Sequence, residues 1–201
     1  MEATLGRKRS FDTDHAIEQA MLLFWERGYE ATSLSDLGAA MGLNPPSIYA
    51  AFGNKQGLFE RCAHRYAETI AAYGARALEA EPTVATALTR YLYEAIDAFT
   101  AEGRPRGCLL VSAATNCGTD SVGAQTLLAN YRAGSEAAIA DRIRRGIAEG
   151  DLSADVESVA LAKFIAVQIQ GLAAQARDGA TAPQLRQVAK LALGSLDPGR
   201  Q

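Results

Sequence analysis

Apolar residues fall in helical step through the middle of the first third of the chain. Leu34, Leu37 and Met41 recur every three or four positions, and Ile48 and Phe52 are four apart. Between these two runs stand Gly42, Leu43, Asn44, Pro45 and Pro46. Gly42 suits a helix end that needs left-handed geometry, and Leu43 fills the corner. Asn44 is an N-cap, and Pro45 takes the first helical position, where its missing N–H would have had no partner. Pro46 still lies in the first turn. Ser33 and Ser35 each offer a hydroxyl to the free N–H groups that open the earlier helix. The pattern predicts helix, tight turn and second helix, with Ile48 and Phe52 inward and Ser47, Tyr49 and Ala50 outward. Asn54 then caps a third helix, with Lys55 placed where its ammonium reaches a phosphate.

Upstream, a helix is predicted from about Asp12 to Arg27, capped by Asp12 or Thr13, with Ala16, Ala20, Leu23 and Phe24 inward. Trp25 reads as packing, Gly28 as the helix end, and Tyr29 as packing rather than DNA contact. Downstream, Leu58, Phe59, Cys62, Tyr66, Ile70 and Tyr73 mark one stripe, predicting a single helix from Asn54 to about Ala80. Further helices are predicted at about Thr83–Glu102, Cys108–Ala114, Asp120 or Ser121–Ala148, Ala154–Arg177 and Pro183–Leu193. The 154–177 segment is apolar on two faces: Val156, Ala160, Phe164, Val167 and Gly171 on one, Leu161, Ile165, Gln168 and Leu172 on the other. A helix of that kind needs cover on both sides, and a second copy of the chain is the expected cover. Leu185, Val188, Leu191 and Ala192 continue the pattern in the last helix.

Helix, turn and helix in this arrangement form a helix-turn-helix, whose second helix enters the DNA major groove. The signal extends through Asn-Lys-Gln-Gly-Leu-Phe at 54–59, after Leu-Gly-Ala-Ala-Met-Gly-Leu at 37–43 and Ile-Tyr-Ala-Ala-Phe at 48–52. With Ala20, Leu23, Phe24, Gly28, Tyr29 and Thr32, this run resembles the TetR family of transcriptional regulators. The resemblance is strong over the first third and carried beyond it by length and helix layout. It implies an all-α chain of about nine helices. A helix-turn-helix head (1–57) with a basic arm precedes a helical effector-binding and dimerisation domain (58–201). It implies a homodimer, its last two helices paired across a two-fold axis. The recognition helices then lie about 34–36 Å apart on a palindromic operator in double-stranded DNA. DNA contact carries over onto Thr32, Ser33, Asn44, Pro45, Ser47, Tyr49 and Lys55. Asn44-Pro45-Pro46 departs from the small or basic residues usual there, which leaves base readout sparse and leaning on Asn44, Ser47 and DNA shape.

Charge adds one qualification. The chain carries a formal net charge of −3, and its first 65 residues hold seven Lys and Arg against eight Asp and Glu. Placement matters more than the sum. Arg7, Lys8 and Arg9 read either as a solvated terminus or as an arm reaching phosphates or a minor groove; the adjacent helix-turn-helix favours the arm. Hydrophobic residues make up 48% of 201, enough for a sizeable interior. Three cysteines, an odd number, point to a reducing compartment. No stretch reads as a membrane span or signal peptide, so a cytoplasmic protein without membrane partners is expected.

The resemblance places a small-molecule effector among the middle helices. Tyr66, Tyr73, Tyr91, Phe99, Tyr131, Phe164 and Gln168 are the candidate lining residues, though ordinary core packing is the favoured reading of each. No lining residue demands a charged ligand, so an aromatic or lipophilic effector is expected. Gly107-Cys108-Leu109-Leu110 resembles a TetR subgroup that includes copper- and electrophile-responsive repressors. A Cys108 thiolate at a helix N-terminus beside Arg104 and Arg106 would have a lowered pKa, and thiols suit copper(I). The spacing from Cys108 to Cys117 matches no compact metal motif, and ordinary buried packing is the favoured reading of both. No metal site or cofactor is expected. An enzyme would need a catalytic constellation, and only His15 and His64 offer imidazoles, without partners. A helical scaffold that has lost DNA binding is the remaining alternative.

Overall fold

The computed structural model describes residues 11–194, and all regular structure among them is helical. The head comprises α1 (Thr13–Arg27), α2 (Leu34–Met41) and α3 (Pro45–Phe52), with α4 (Lys55–Thr69) leading out of it. The body follows as α5 (Tyr73–Ala80), α6 (Val84–Thr100), a single turn α7 (Leu109–Ser112), α8 (Val122–Ala148), α9 (Ser158–Arg177) and α10 (Ala182–Gly194). Nine of these helices have eight residues or more, and a 3-10 turn at Thr119–Ser121 introduces α8.

Local chemistry sets the boundaries of the head. Asp12 accepts from the backbone N–H groups of Asp14 and His15 and so caps α1. Ser33, not Ser35, caps α2: its hydroxyl accepts from Asp36 N–H while the Asp36 carboxylate reaches back to Ser33 N–H. Those hydrogen bonds hold the Asp36 carboxyl below its ordinary range. Gly42 ends α2 at φ 66°, and a side chain at Gly38 would stand 2.7 Å from the Leu43 carbonyl, so the turn closes tightly. Asn44 and Asn54 cap α3 and α4 in the same way, accepting from Ser47 and Gly57 N–H.

Aromatic packing joins α1 to α4. Phe24 meets Phe59 edge-on at 5.0 Å, and wholly buried Trp25 meets Tyr66 edge-on at 5.0 Å. The head is also tied to the body through backbone groups. Tyr29 N–H donates to the Ala113 carbonyl at 2.6 Å. From the end of α9, the Arg177 guanidinium donates to the carbonyls of Trp25 and Glu26 at 3.1 and 2.8 Å, satisfying the C-terminal end of α1.

Three expectations from the sequence change here. The helix expected to run from Asn54 to Ala80 breaks at Ile70–Ala72. Thr69 turns its hydroxyl back onto the Arg65 carbonyl at 2.6 Å, and Ala71 N–H reaches five residues back to Tyr66. The helix expected from Ala154 begins at Ser158, because Ser153–Asp155 form a turn in which Val156 N–H bonds Ser153; Val156 therefore lies ahead of α9. Finally, α9 is long and apolar enough to span a membrane by length and composition. It is instead a packed helix, laid against α8 on one side and α6 on another.

Candidate nucleic-acid interface and inner cavity

On the head, α3 presents Asn44, Pro45, Pro46, Tyr49 and Ala50 to solvent, with Ser47 half-buried. Tyr49 is 50% exposed on this face. Asn44 commits its Oδ1 to the cap and leaves its Nδ2 donors uncommitted. No charged residue lies within Pro45–Phe52, so any base reading here depends on amide, hydroxyl and phenol groups. Arg7, Lys8 and Arg9 lie outside the described residues.

Two of the expected DNA contacts are placed otherwise than the pattern implied. Thr32 is fully buried, and its hydroxyl donates to the Gly28 carbonyl at 2.7 Å, so it closes the α1–α2 turn instead of meeting a phosphate. Ser33 is exposed, but its hydroxyl is spent in the cap of α2.

Lys55 opens α4 half-buried, its ammonium 4.3 Å above the ring of Tyr29. Burial lowers its pKa, against the fields of Glu30 and Cys117, which raise it. The α7–α8 connection meets the head at this point. Ser121 donates to the Glu30 carboxylate at 2.6 Å, and a side chain at Gly123 would stand 2.5 Å from the Gln56 amide.

Behind this junction, a cavity of about 520 Å³ opens between α4, α5, α6 and α8 at the 70–72 break. Its walls are mostly small and apolar: Ala67, Ala71, Ala75, Leu78, Leu110 and Leu127. Gly134 and Ser135 form an exposed rim on α8. A recess of about 60 Å³ continues inward past Tyr73, Tyr91, Cys108, Tyr131, Arg132 and Ser135. Tyr73 and Tyr91 meet edge-on at 5.7 Å, and Gly74 is what lets α5 lie so close, since a side chain there would stand 2.8 Å from the Tyr91 ring. Burial pushes both phenols up, so they stay protonated donors.

Of the expected lining residues, Tyr73, Tyr91, Cys108 and Tyr131 are brought together here. Tyr66 and Phe99 are not; both are fully buried in core. Phe164 is on the outer face of α9, and Gln168 borders a surface groove between α9 and α10. Arg132 and Ser135 escaped the sequence reading, which sought aromatic residues; their only signal was polar side chains on the face of α8 that carries Tyr131.

The Cys108 thiol follows the buried reading and not the activated-thiolate alternative. It is buried, and burial pushes its pKa up, against the hydrogen bond with Tyr66 and the charge of Arg132. Arg104 instead stacks over Trp25 at 6.0 Å, and Arg106 donates to the Ala176 and Ala180 carbonyls at the end of α9. Cys117 is half-buried, and its thiol is likewise raised by burial and Glu30, with Lys55 opposing. Among the described residues no group of three or more His, Cys, Asp or Glu could hold a metal ion.

On the far side of the body, α9 and α10 expose Val159, Phe164, Val167, Val188 and Leu191, the last 77% exposed. Ala160 and Gly171 lie in the same exposed stripe. Leu185, expected among them, is buried within its own chain because it faces back onto the core.

Comparison with known proteins agrees with this architecture. A family model of bacterial regulatory proteins of the tetR family matches residues 16–62, and a tetracyclin repressor-like C-terminal domain matches 85–190. The chain is 36% identical over 185 residues to the HTH-type transcriptional repressor ComR of Escherichia coli (strain K12), spanning 92% of this chain and 88% of that protein. It is 31% identical over 187 residues to the HTH-type transcriptional repressor BdcR of the same organism, spanning 93% and 90%. Among solved structures, a cysteine mutant of the TetR family transcriptional regulator CifR complexed with 26-base-pair double-strand operator DNA superposes with a TM-score of 0.92. The identity is 39%, covering 96% of this chain and 100% of that one. With the exposed α3, the helical body and matches across both halves, the chain belongs to the TetR family of DNA-binding transcriptional regulators, and is not an enzyme.

Proposed function

We propose that the protein is a ligand-responsive repressor that binds a palindromic operator as a homodimer and is released by a small-molecule effector. The head, residues 1–57, grips DNA through Asn44, Pro45, Ser47, Tyr49 and Lys55, with the Arg7–Lys8–Arg9 arm adding phosphate contacts. The body, residues 58–201, holds the effector and the partner copy. The exposed face of α3, set as the second helix of a helix-turn-helix and lined by Asn44, Pro45 and Tyr49, is the observation that carries this reading. CifR, similar over nearly the whole chain, is complexed with operator DNA, which supports it. The apolar stripe on α9 and α10 supports the dimer. A soluble cytoplasmic location fits a DNA-binding function.

The test is titration of the purified protein onto the DNA upstream of its own gene and onto a random-sequence pool, at several salt concentrations. Selective binding that weakens with salt is expected. A protein that selects no sequence from the pool is a helical scaffold, and the proposal is wrong.

One observation favours thiol response as a second reading. Cys117 lies in the fields of both Lys55 and Glu30, at the head–body junction, so modification there would disturb a proposed phosphate contact. Operator release by a thiol oxidant, abolished in Cys117→Ser, is the result that would distinguish it.

A further inference from the structure

Among the described residues, Arg132 is the one Lys, Arg, Asp or Glu lining either part of the cavity; Glu94 and Arg104 act on the Tyr73 phenol, and Glu68 on Tyr131, from outside that lining. The Arg132 Nη1 donates to the Leu110 carbonyl at 2.7 Å, which fixes the guanidinium while its other nitrogens make no bond among the described residues. Tyr73 and Tyr91 remain protonated beside it, with the Ser135 hydroxyl against Tyr91.

We propose that the effector is a small monoanion with an apolar body: a carboxylate seated in the recess against Arg132 and the Tyr73 and Tyr91 hydroxyls, its hydrocarbon filling the larger chamber. The inference deepens the effector reading above and rests on it. Three physical arguments select this class. A cation would meet Arg132 with no carboxylate in the lining to coordinate it. A neutral apolar ligand would strip water from a guanidinium whose donors it could not replace. A phosphate or other dianion would bring two charges to a single lining guanidinium, leaving one of them unmatched by any cation in the lining. The alanine and leucine walls of the outer chamber then take the remainder of the molecule by area burial, without orienting it. Planar, fork-like donation from Arg to a carboxylate is the strong form of this contact.

The experiment is calorimetric titration of the full-length protein with octanoate, 4-phenylbutyrate and 1-naphthaleneacetate, each beside its primary amide. At least one acid is expected to bind tenfold or more tightly than its amide. Arg132→Gln is expected to erase that preference and Arg132→Lys to retain most of it, with both variants checked for native helicity. Amides that bind as well as acids, acids indifferent to Arg132→Gln, or no binding by any acid would each overturn the assignment. An acid that shows the Arg132-dependent preference but leaves operator DNA bound would instead overturn the effector reading, with the chemistry of the recess intact.

Discussion

The Ser121 hydroxyl donates to the Glu30 carboxylate at 2.6 Å, joining the start of α8 to the α1–α2 turn across 91 residues of sequence. Farther along the same α8, Tyr131, Arg132 and Ser135 line the recess. A ligand that shifts α8 therefore pulls directly on the head. Ser121→Ala is expected to reduce, several-fold, the change in operator affinity that effector produces. The bond is exposed, so its loss should cost no more than about 1 kcal/mol, a fall in Tm of about 2–4 °C. Operator titrations with and without ligand check this; unchanged coupling would show that the signal takes another route.

Lys55→Gln should weaken binding to all DNA sequences alike. One phosphate contact per subunit is removed, so the slope of log affinity against log salt should flatten by about 0.9 per subunit. A sequence-selective loss would mean that Lys55 reads bases.

Thr32→Val should act on stability and leave DNA contact alone. The part-buried Gly28 carbonyl loses its donor, a cost of about 1 kcal/mol. Denaturant melts should show the loss, while the salt slope of DNA binding stays as in the parent. A flattened slope at unchanged stability would restore Thr32 to the phosphate-contacting set.

Phe164→Glu with Leu191→Lys should separate the dimer without unfolding the subunit. Both side chains are solvent-facing in the single chain, so charge there opposes association alone. Sedimentation at micromolar concentration should show monomer for the double variant and dimer for the parent. A parent that is monomeric would refute the interface.

Alkaline pH should destabilise the fold. Burial raises the thiols of Cys62 and Cys108 and the phenols of Tyr66, Tyr73 and Tyr91. Above about pH 8.5–10 these groups ionise first in the unfolded chain, which then binds fewer protons than the native one, so stability falls as pH rises. Urea melts from pH 7 to 10.5 should give a flat lower half and a declining upper half. Constant stability throughout would contradict the burial of these groups.

The head was legible because its determinants are local. Asn44, Asn54 and Gly42 act within a few residues of their own positions, and Ile48 and Phe52 are spaced by the helix itself. The break at Ile70–Ala72 was not legible, since alanines around it favour helix and only the Thr69 hydroxyl and the packing of Tyr73 on Tyr91 divert the chain. Arg132 was missed for a related reason: a charge on a long helix reads as solvated until α7 and α9 are seen to enclose it. The activated-thiolate alternative for Cys108 arose from Arg104 and Arg106, its neighbours in sequence, which in space are committed to Trp25 and to the end of α9. Thr32 was misread because a hydroxyl near a helix start can serve the preceding turn as readily as a phosphate.

The guanidinium of Arg177 has a consequence for modularity. It serves the last carbonyls of α1 from about 150 residues away, while wholly enclosed Trp25 depends on α4 and on Arg104 from the body. A head excised as a cassette and fused to another body would carry two orphaned carbonyls and an indole missing part of its cover. Chimeric regulators that keep this chain's operator preference must therefore transplant a spatial patch, with Arg177 and Arg104 travelling alongside residues 12–69, in place of a contiguous stretch of sequence.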